Sequence, residues 1–413
     1  MKPMGPIPGD YLSRDGQLLI GACTADEWIA RAGDTPLFVY DVAIVRTRVA
    51  RFRSAFPGVA LHYAVKANPH PPLVAAMTGL VDGIDVASEG EARLAMAAGM
   101  APDRISFAGP GKRERELLTA IEAGITLNLE SEGEADRALA AARAIGVRPR
   151  LAVRVNPDFD LKGSGMKMGG GAKPFGVDAE RAAALIARIV SAGADYRGLH
   201  IFAGSQALGV EAIVDAQSQA IALAARISEE AGIGPPLVNL GGGFGVAYFP
   251  GDVPLDETAV GDALRYALAD RPVILENARF AIELGRWLVA EAGVYLARIV
   301  DRKVSHGEIF LIVDGGLHHQ LAASGNFGTV VRRNYPLAIA GRFLAEAEEQ
   351  VSVVGCLCTP LDRLGDRVGL PCADVGDVVA IFLAGAYGAS ASPSAFLGHV
   401  PAHELTIDAD RIL

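Results

Sequence analysis

A lysine stands at the end of an apolar run in LHYAVKANPHPPL, residues 61–73. Alternate residues of this run are apolar and Asn68-Pro69 breaks it, a pattern that predicts a buried strand with Lys66 near its C-terminal tip. A lysine amine in such a place can condense with a carbonyl group to form a Schiff base. The plainer alternative is a lysine whose stem covers the strand end while its ammonium group reaches solvent.

Two further motifs carry groups that a phosphorylated aldehyde cofactor would need. NLGGGFG, residues 239–245, has three successive glycines whose N–H groups could surround a phosphate, although a tight turn with positive φ would explain them equally well. ELGR, residues 283–286, holds a carboxylate and a guanidinium, which is also what a solvated ion pair requires. Each motif is weak evidence alone. An amine, a phosphate cradle and both charges on one scaffold together indicate chemistry on such a cofactor.

The elements that must position these residues alternate between short β-rich runs and alanine-rich helical stretches. Eight such runs indicate a (β/α)8 barrel, in which catalytic residues lie at the C-terminal ends of the strands. The runs are LHYAVKA, GIDVAS, RISFAG, ITLNLES, RLAVRVN, GLHIFAGS, LVNLGGG and FAIELGR. Ser88 with Glu91, and Ser131 with Glu134, predict capping boxes at two helix starts. We therefore predict an α/β fold whose first domain, residues 37–286, is a TIM-like barrel.

The pattern changes after Arg286, where β-rich runs are separated by turn residues and long helical stretches are few. This predicts a second, mostly antiparallel β-domain made of residues 287–413 and 1–36, in which GQLLIG, residues 16–21, would add a strand. The loop SGMKMGGGAKPFG, residues 164–176, is predicted to be a flexible surface loop, with a mobile lid or a basic docking site as the alternatives.

Bulk composition limits the class of protein. The chain has 413 residues, of which 51% are hydrophobic and 21% charged, so we expect two domains, a large core and little disorder. The net charge of −10 argues against nucleic-acid binding. Four cysteines form no disulfide framework in so long a chain, and the N-terminal residues contain no apolar signal core or membrane-length run. We therefore expect a cytoplasmic protein that has no membrane contact.

Eight motifs occur in the order found in the fold type III pyridoxal-phosphate decarboxylases, which include diaminopimelate and ornithine decarboxylases. They are HYAVKAN, GIDVASEGE, GLHIFAGSQ, NLGGGFG, ELGR, VDGG, GCLCTPLD and AGAYGAS, and the resemblance extends from about Leu37 to Leu405. NPDFDLKGSGMKMGGG, HHQLAASGNFG and CTPLDRLGDRV further resemble the decarboxylases found with exosortase A gene clusters. The resemblance implies an alanine racemase-like barrel with a C-terminal β-domain, pyridoxal 5'-phosphate as cofactor, and a homodimer whose active sites lie between one barrel and the partner's β-domain.

The resemblance also implies roles for individual residues. Lys66 would hold the cofactor as an internal aldimine, and Cys358 of the partner subunit would donate a proton to the quinonoid carbanion after CO2 leaves. Glu283 would keep the pyridine nitrogen protonated, whereas a racemase of this fold would prefer arginine there. Other implied cofactor contacts are Asp85, Glu91, Arg154, His200, Phe202, Ser205, Gly241, Gly242, Gly243, Arg286 and Tyr387. The implied substrate contacts are His318, Asn326 and Thr359.

Departures from the family pattern bear on the substrate. Phe202 replaces the family's ring-stacking histidine, so an aromatic face remains but a charge and a hydrogen bond are lost. Thr359 stands where decarboxylases of free diamino acids carry an acidic residue for the distal amine. The segment after VDGG, residues 317–328, lacks the arginine that diaminopimelate enzymes place against the distal carboxylate. We therefore expect a substrate whose far end is uncharged, such as an aminoacyl thioester on a carrier protein.

Several other functions remain open on sequence grounds. They are a decarboxylase of free diaminopimelate, lysine or ornithine, an amino acid racemase, a non-catalytic pyridoxal-phosphate-binding protein, and a class I aldolase. Glu283 argues against the racemase, and the presence of Lys66, Cys358 and Tyr387 argues against a non-catalytic relic. An aldolase would leave Glu283 and the glycine triplet unexplained.

No metal site is expected from the sequence. His318-His319 has no third ligand at a useful spacing, and nothing near the C-x-C pair of Cys356 and Cys358 completes a zinc site. Cys356 is expected to be a core residue, and the strand is expected to end near Cys358 because Thr359-Pro360 follows.

Overall fold

The computed structural model describes residues 1–161, 163, 165–167, 169–325 and 332–413, with the backbone alone at residues 166 and 167. The chain forms two compact units. The barrel unit comprises Arg48–Val246 and Pro254–Gly285, and the β-unit comprises Met1–Thr47, Ala247–Val253 and Arg286–Leu413. Among the described residues, no helix combines the length and the apolar character that crossing a membrane requires.

Eight parallel strands close into a barrel, which confirms the predicted fold class. They follow chain order around the barrel, and the last strand pairs with the first. Barrel strands one to eight are Ala60–Ala64, Gly83–Val86, Ile105–Phe107, Thr126–Leu129, Arg150–Asn156, Asp195–Ile201, Leu237–Asn239 and Arg279–Leu284. Each strand overlaps one of the eight predicted runs, because parallel strands covered on both faces are apolar over most of their length. Strands one, six and eight begin one to three residues before their runs. Short strands Met166–Lys167, Val177–Asp178 and Gly204–Ser205 lie in the loops between them.

Helices separate the barrel strands and account for the alanine-rich stretches of the sequence. The α-helices of the described chain are Ala25–Ala32, Val42–Ala55, Pro71–Thr78, Glu89–Ala97, Glu114–Ala123, Glu132–Ile145, Ala179–Ser191, Val210–Ala231, Glu257–Ala269 and Arg286–Val289. Small alanine side chains allow the helices to pack closely on the strands, and the buried face of Ala179–Ser191 consists of alanine, leucine and isoleucine.

The two predicted capping boxes are formed in part. Ser88 Oγ accepts a hydrogen bond from the Glu91 N–H at 3.2 Å, as an N-cap serine should. The Glu91 carboxylate, however, accepts from the N–H of Ala87 at 2.7 Å, one residue before the N-cap. Ser131 and Glu134 repeat this arrangement. Each glutamate therefore ties its helix to the end of the preceding barrel strand.

The β-unit is mostly antiparallel, as predicted. Its longest strand, Gly293–Ser305, pairs antiparallel with Leu37–Asp41, Glu308–Val313 and Val378–Ile381. Parallel pairing joins Glu308–Val313 to Glu349–Val354 and Leu37–Asp41 to His403–Asp408. The remaining strands of this unit are Leu12–Arg14, Gln17–Ile20, Cys23–Thr24, Leu337–Ile339, Arg363–Leu370 and Arg411–Ile412.

The N-terminal run GQLLIG forms a strand of the β-unit, but that strand is not part of the large sheet. Gln17–Ile20 is the central strand of a separate three-stranded sheet, between Leu12–Arg14 and Cys23–Thr24. Asp15 and Gly16 have positive φ and form a tight turn that folds the chain back on itself, so both edges of the strand are already paired. Leu37–Asp41 is the N-terminal strand that joins the large sheet.

Candidate active site

Lys66 lies at the C-terminal mouth of the barrel. Barrel strand one ends at Ala64, and Lys66 is the middle residue of the 3-10 turn Val65–Ala67. Val65 and Ala67 are buried while Lys66 is exposed, so the turn directs its side chain away from the core. The Lys66 ammonium nitrogen lies 5.7 Å from the centroid of the Phe202 ring. The sequence-predicted pair of amine and aromatic ring is therefore brought together.

Glu91 belongs to the same part of the barrel unit. Burial raises the pKa of Glu91, and the charge of Lys66 offsets part of that rise. Its carboxylate also accepts the Ala87 N–H, as described above. Glu91 therefore anchors a helix start, and its carboxylate is close enough to Lys66 to interact with the lysine charge.

Glu283 is a buried carboxylate at the end of barrel strand eight. Its Oε2 lies 3.0 Å from His200 Nε2 and 3.4 Å from Asn239 Nδ2. Burial alone would raise the pKa of Glu283, but the charges of His200 and then of Lys66 and Arg154 outweigh it, and the net pKa is lowered. Glu283 is therefore an anion at neutral pH, as its predicted role requires.

The glycine triplet is packed against neighbouring backbone. A Cβ on Gly242 would lie 1.8 Å from the carbonyl oxygen of Glu283, and Gly241 and Gly243 have φ of +71° and +84°. A Cβ on Gly243 would lie 2.5 Å from the carbonyl oxygen of Gly204, which directly precedes Ser205. Packing alone thus demands glycine here, and the same packing brings the loop that carries Ser205 beside the triplet.

Arg154 and Glu130 form a buried ion pair at the barrel mouth. Glu130 Oε1 accepts from Arg154 Nη1 at 2.7 Å and from the Gly109 N–H at 2.6 Å, while Oε2 accepts from the Gly176 N–H at 2.8 Å. Burial raises the pKa of Glu130, but Arg154 and these N–H groups lower it further, so the net pKa falls. The carboxylate thus fixes the loops after barrel strands three and five, and it holds Arg154 in place.

Replacing Glu130 with glutamine is expected to lower the thermal midpoint by roughly 5–10 °C at pH 7, equivalent to about 3 kcal/mol. The Glu130 carboxylate accepts from three donors, and the glutamine amide would point its own N–H group at one of them. It would also leave the charge of Arg154 without a counter-charge. Because folding lowers the pKa of Glu130, the ionised carboxylate contributes fully to stability above about pH 4.3. This contribution is lost as the pH falls through the pKa of the folded state. The difference in thermal midpoint between wild type and Glu130→Gln should therefore shrink in acid.

Thermal scans of both proteins at pH 7 and pH 4 test this expectation. Glu132→Gln is the matched control, because Glu132 pairs with the exposed Arg181 and its loss should leave the midpoint within about 2 °C. Equal midpoints for Glu130→Gln and wild type at pH 7 would contradict the assigned role.

Asp85 pairs with a histidine that sequence reasoning missed. His62 Nδ1 lies 3.3 Å from Asp85 Oδ2 within the barrel. Burial lowers the pKa of His62, but the charge and hydrogen bond of Asp85, together with other nearby carboxylates, outweigh it and the net pKa is raised. Alternation along barrel strand one predicted that His62 faces away from Tyr63, but it could not show which partner His62 meets.

Arg286 lies among tyrosines of the β-unit. Its guanidinium carbon is 4.9 Å from the centroid of the Tyr387 ring, and Tyr248 hydrogen-bonds to its side chain. Tyr248 in turn stacks on Tyr335 at 5.0 Å between centroids. Tyr387 adopts a φ of +54°, a strained value for a bulky residue that is typical of functional sites. Tyr248 and Tyr335 were missed because no motif singles out an isolated tyrosine.

The predicted acid and substrate residues occupy different environments in the β-unit. Strand Glu349–Val354 ends before the C-x-C pair, so Cys358 is exposed beyond a strand end and Thr359 is half-buried beside it. The expectation that Cys356 is a core residue is wrong, since Cys356 is half-buried with its Sγ 4.0 Å from His399 Nδ1. His318 is fully buried. Asn326 lies outside the described residues.

A closed (β/α)8 barrel with a lysine at its mouth and a buried carboxylate on strand eight is the arrangement expected of a fold type III pyridoxal-phosphate enzyme. Residues 42–290 match the family described as pyridoxal-dependent decarboxylase, pyridoxal binding domain. The L-glutamyl-[BtrI acyl-carrier protein] decarboxylase of Niallia circulans is 36% identical over 379 residues, 89% of this chain and 87% of that protein. The diaminopimelate decarboxylase of Aquifex aeolicus is 32% identical over 390 residues, 91% and 87% of the two chains.

The chain belongs to the pyridoxal-dependent decarboxylase family and is an amino acid decarboxylase that uses pyridoxal 5'-phosphate. Solved structures of decarboxylases have a similar fold. The diaminopimelate decarboxylase of M. jannaschii in complex with L-lysine gives a TM-score of 0.88 at 25% identity, over 98% of this chain and 94% of that one. The Helicobacter pylori enzyme complexed with L-lysine gives 0.82 at 27% identity, over 94% and 95%.

The residues present fit this cofactor. Lys66 offers an exposed amine and Glu283 a buried anion. Among the described residues, the buried atoms His200 Nδ1 and Arg286 Nε have no hydrogen-bond partner, and buried polar atoms rarely stay unpaired in a completed site. The cofactor supplies an aldehyde for amines and a pyridinium ring that withdraws electrons from the bond to the departing carboxylate.

Proposed function

We propose that this decarboxylase acts on an amino acid attached to a carrier protein as a thioester, in the cytoplasm and as a homodimer. The observation that carries the proposal is Thr359, an uncharged residue directly after Cys358. Free diamino acids would meet no acidic group there and no arginine in residues 317–328. The N. circulans relative, named for a glutamyl carrier-protein substrate, supports the same conclusion.

The chemistry restricts how the substrate is attached. Decarboxylation removes the α-carboxylate, so that group must be free, and the thioester must use a side-chain carboxyl. Glutamate joined to the carrier through its side-chain carboxyl meets both conditions. In this form its far end carries no charge, and a neutral group costs little to bring beside Thr359.

Each cofactor contact has a proposed role. Lys66 binds the aldehyde of the cofactor, and Phe202, whose ring is near the Lys66 amine, packs against the cofactor ring. Asp85, paired with His62, and Arg154, paired with Glu130, orient the ring side of the site. The phosphate is bound by the glycine triplet with Ser205, Arg286 and Tyr387, since backbone N–H groups and a guanidinium suit a dianion.

Glu283 is proposed to hold a proton on the pyridine nitrogen. A carboxylate whose pKa is lowered remains charged at neutral pH and stabilises the pyridinium form. His200, 3.0 Å from Glu283 Oε2, fixes the orientation of the carboxylate. Because the site then favours electron withdrawal by the ring, this arrangement supports decarboxylation over racemisation.

Cys358 of the partner subunit is proposed to give a proton to the substrate carbon after CO2 departs. Cys358→Ala is expected to lower turnover by about 100-fold while the cofactor stays bound, because general acids typically contribute at least this much. The measurement is CO2 release together with the ratio of the amine product to the aldehyde that forms, with the aminated cofactor, when the proton goes to the cofactor instead. Cys372→Ala, at another exposed cysteine, is the control. Full turnover and an unchanged product ratio in Cys358→Ala would remove the role.

The substrate assignment is tested by Thr359→Glu. An acidic residue there should raise kcat/KM for free lysine or ornithine by about tenfold and lower it for a carrier-bound glutamyl thioester by a similar factor. Thr359→Gln, of the same size without the charge, separates electrostatics from crowding. If Thr359→Glu leaves the ratio of the two kcat/KM values unchanged, Thr359 does not set the preference for a neutral far end.

A free diamino acid decarboxylase is the second candidate. The A. aeolicus diaminopimelate decarboxylase, 32% identical, is the observation that favours it. The two candidates share the chemistry at Lys66 and Glu283 and differ at the far end of the substrate. Comparing free and carrier-bound amino acids therefore decides between them.

A further inference from the structure

Two adjacent histidines of the β-unit have opposite hydrogen-bonding states. His319 is satisfied at both ring nitrogens, with the Tyr295 hydroxyl 3.0 Å from Nδ1 and the Val400 carbonyl 2.9 Å from Nε2. His318 is fully buried, and among the described residues neither of its ring nitrogens has a hydrogen-bond partner. A buried imidazole without partners is costly unless something else binds it.

Two further metal-binding side chains meet His318. Cys356 Sγ lies 4.0 Å from His399 Nδ1, and one ligand atom from each of His318, Cys356 and His399 lies within 4.8 Å of the others. Tetrahedral zinc binds sulfur at about 2.3 Å and nitrogen at about 2.0 Å, which places its ligands roughly 3.3–3.6 Å apart. Side-chain rotation at the exposed His399 can close the difference. Two imidazoles and one thiolate form a donor set suited to zinc.

The backbone around these ligands is already fixed. One carboxylate, that of Asp362, accepts the Leu317 N–H at 2.6 Å and the Leu357 N–H at 2.9 Å, next to His318 and Cys356 respectively. The Cys356 N–H donates to the Gly315 carbonyl at 3.2 Å. His319 contacts the Val400 carbonyl, beside His399. Each ligand is thus adjacent in sequence to a hydrogen-bonded anchor, the kind of support that metal sites require.

We propose that His318, Cys356 and His399 form a Zn²⁺ site in the β-unit. His318 supplies the buried ligand and Cys356 a thiolate, and the exposure of His399 leaves the fourth position to water. Cys356 lies two residues before Cys358, so bound zinc would hold the segment that carries Cys358. The site goes beyond the proposed function, because zinc binding does not depend on which substrate is decarboxylated.

The test is a Zn²⁺ titration of the cofactor-loaded protein, first dialysed against a chelator, in competition with a zinc-binding dye. Wild type is expected to bind one Zn²⁺ per chain with a dissociation constant in the micromolar range or below. Cys356→Ser and His399→Ala should each weaken binding by more than about 100-fold, since loss of an outer-sphere partner alone costs 10- to 100-fold. Both positions are at least partly exposed, so these variants should fold.

Matched controls separate this site from adventitious binding. Cys372→Ser and His403→Ala change an exposed cysteine and an exposed histidine elsewhere in the unit and should bind as wild type does. Cys358→Ser should also bind zinc as wild type does. That result would show that the thiolate ligand is Cys356 and not the neighbouring Cys358. Co²⁺ should give the visible absorption of a tetrahedral thiolate site in wild type and lose it in Cys356→Ser. No stoichiometric binding, or tight binding by Cys356→Ser, would overturn the proposal.

Discussion

Replacing Lys66 with alanine is expected to remove CO2 release, by at least about a thousandfold, and to abolish the absorbance of the lysine-linked cofactor. The reason is positional, since Lys66 is the exposed amine in the turn after barrel strand one. Its ammonium nitrogen lies 5.7 Å from the Phe202 ring, and Glu91 contributes a negative charge nearby. Removing the amine removes the covalent anchor and leaves the surrounding packing intact, because the side chain is not part of the core.

Lys66→Arg is the matched control for charge. A guanidinium keeps the positive charge near Glu91 and Glu283 but is a poor nucleophile, so this variant should be as inactive as Lys66→Ala. The measurements are the absorbance spectrum after dialysis, CO2 release, and the thermal midpoint to confirm folding. A lysine-linked spectrum that survives in Lys66→Ala would show that another amine is the anchor.

Glu283→Gln is expected to lower kcat by about 100- to 1,000-fold with the cofactor still bound. The amide has nearly the shape of the carboxylate but no charge to hold a proton on the pyridine nitrogen. Asn239 and His200 should keep the side chain in place, since both lie within 3.4 Å of Glu283 Oε2. Glu283→Asp, which restores the charge on a shorter stem, should recover part of the lost rate.

The pH dependence of this effect has a defined sign. Neighbouring charges lower the pKa of Glu283, so the carboxylate stays ionised from neutral pH down through about pH 4.3, the usual glutamate value. The activity difference between wild type and Glu283→Gln should therefore stay constant between about pH 6 and pH 8. A kcat for Glu283→Gln within about threefold of wild type would remove the carboxylate from the mechanism.

Much of the barrel could be predicted from the sequence. Buried parallel strands require continuous apolar runs, and the loops between them require turn residues, so all eight strands lie where the runs predict. Because the strands could be located, their C-terminal ends could be located too. The ends of strands one and eight placed Lys66 and Glu283 at the mouth of the barrel. The N-terminal hairpin could not be placed, because the same alternating pattern in residues 17–20 suits either sheet.

The partners of buried polar groups could not be predicted. Alternation shows which face a residue takes but not what it meets across the barrel, so the pairs His62–Asp85 and Arg154–Glu130 emerge only from the fold. Long sequence separation hides other groups. Spacing around His318-His319 offers no third metal ligand, whereas the β-unit brings Cys356 and His399 to His318 across 38 and 81 positions of the chain.

The most direct test of the proposed function is CO2 release by the cofactor-loaded protein from glutamate attached to a carrier protein through its side-chain carboxyl. The comparison set is free glutamate, diaminopimelate, lysine and ornithine under the same conditions. We predict release from the carrier-bound substrate, with kcat/KM at least about tenfold above that of any free amino acid. Release from a free diamino acid with none from the thioester would contradict the substrate assignment while leaving the decarboxylase chemistry in place.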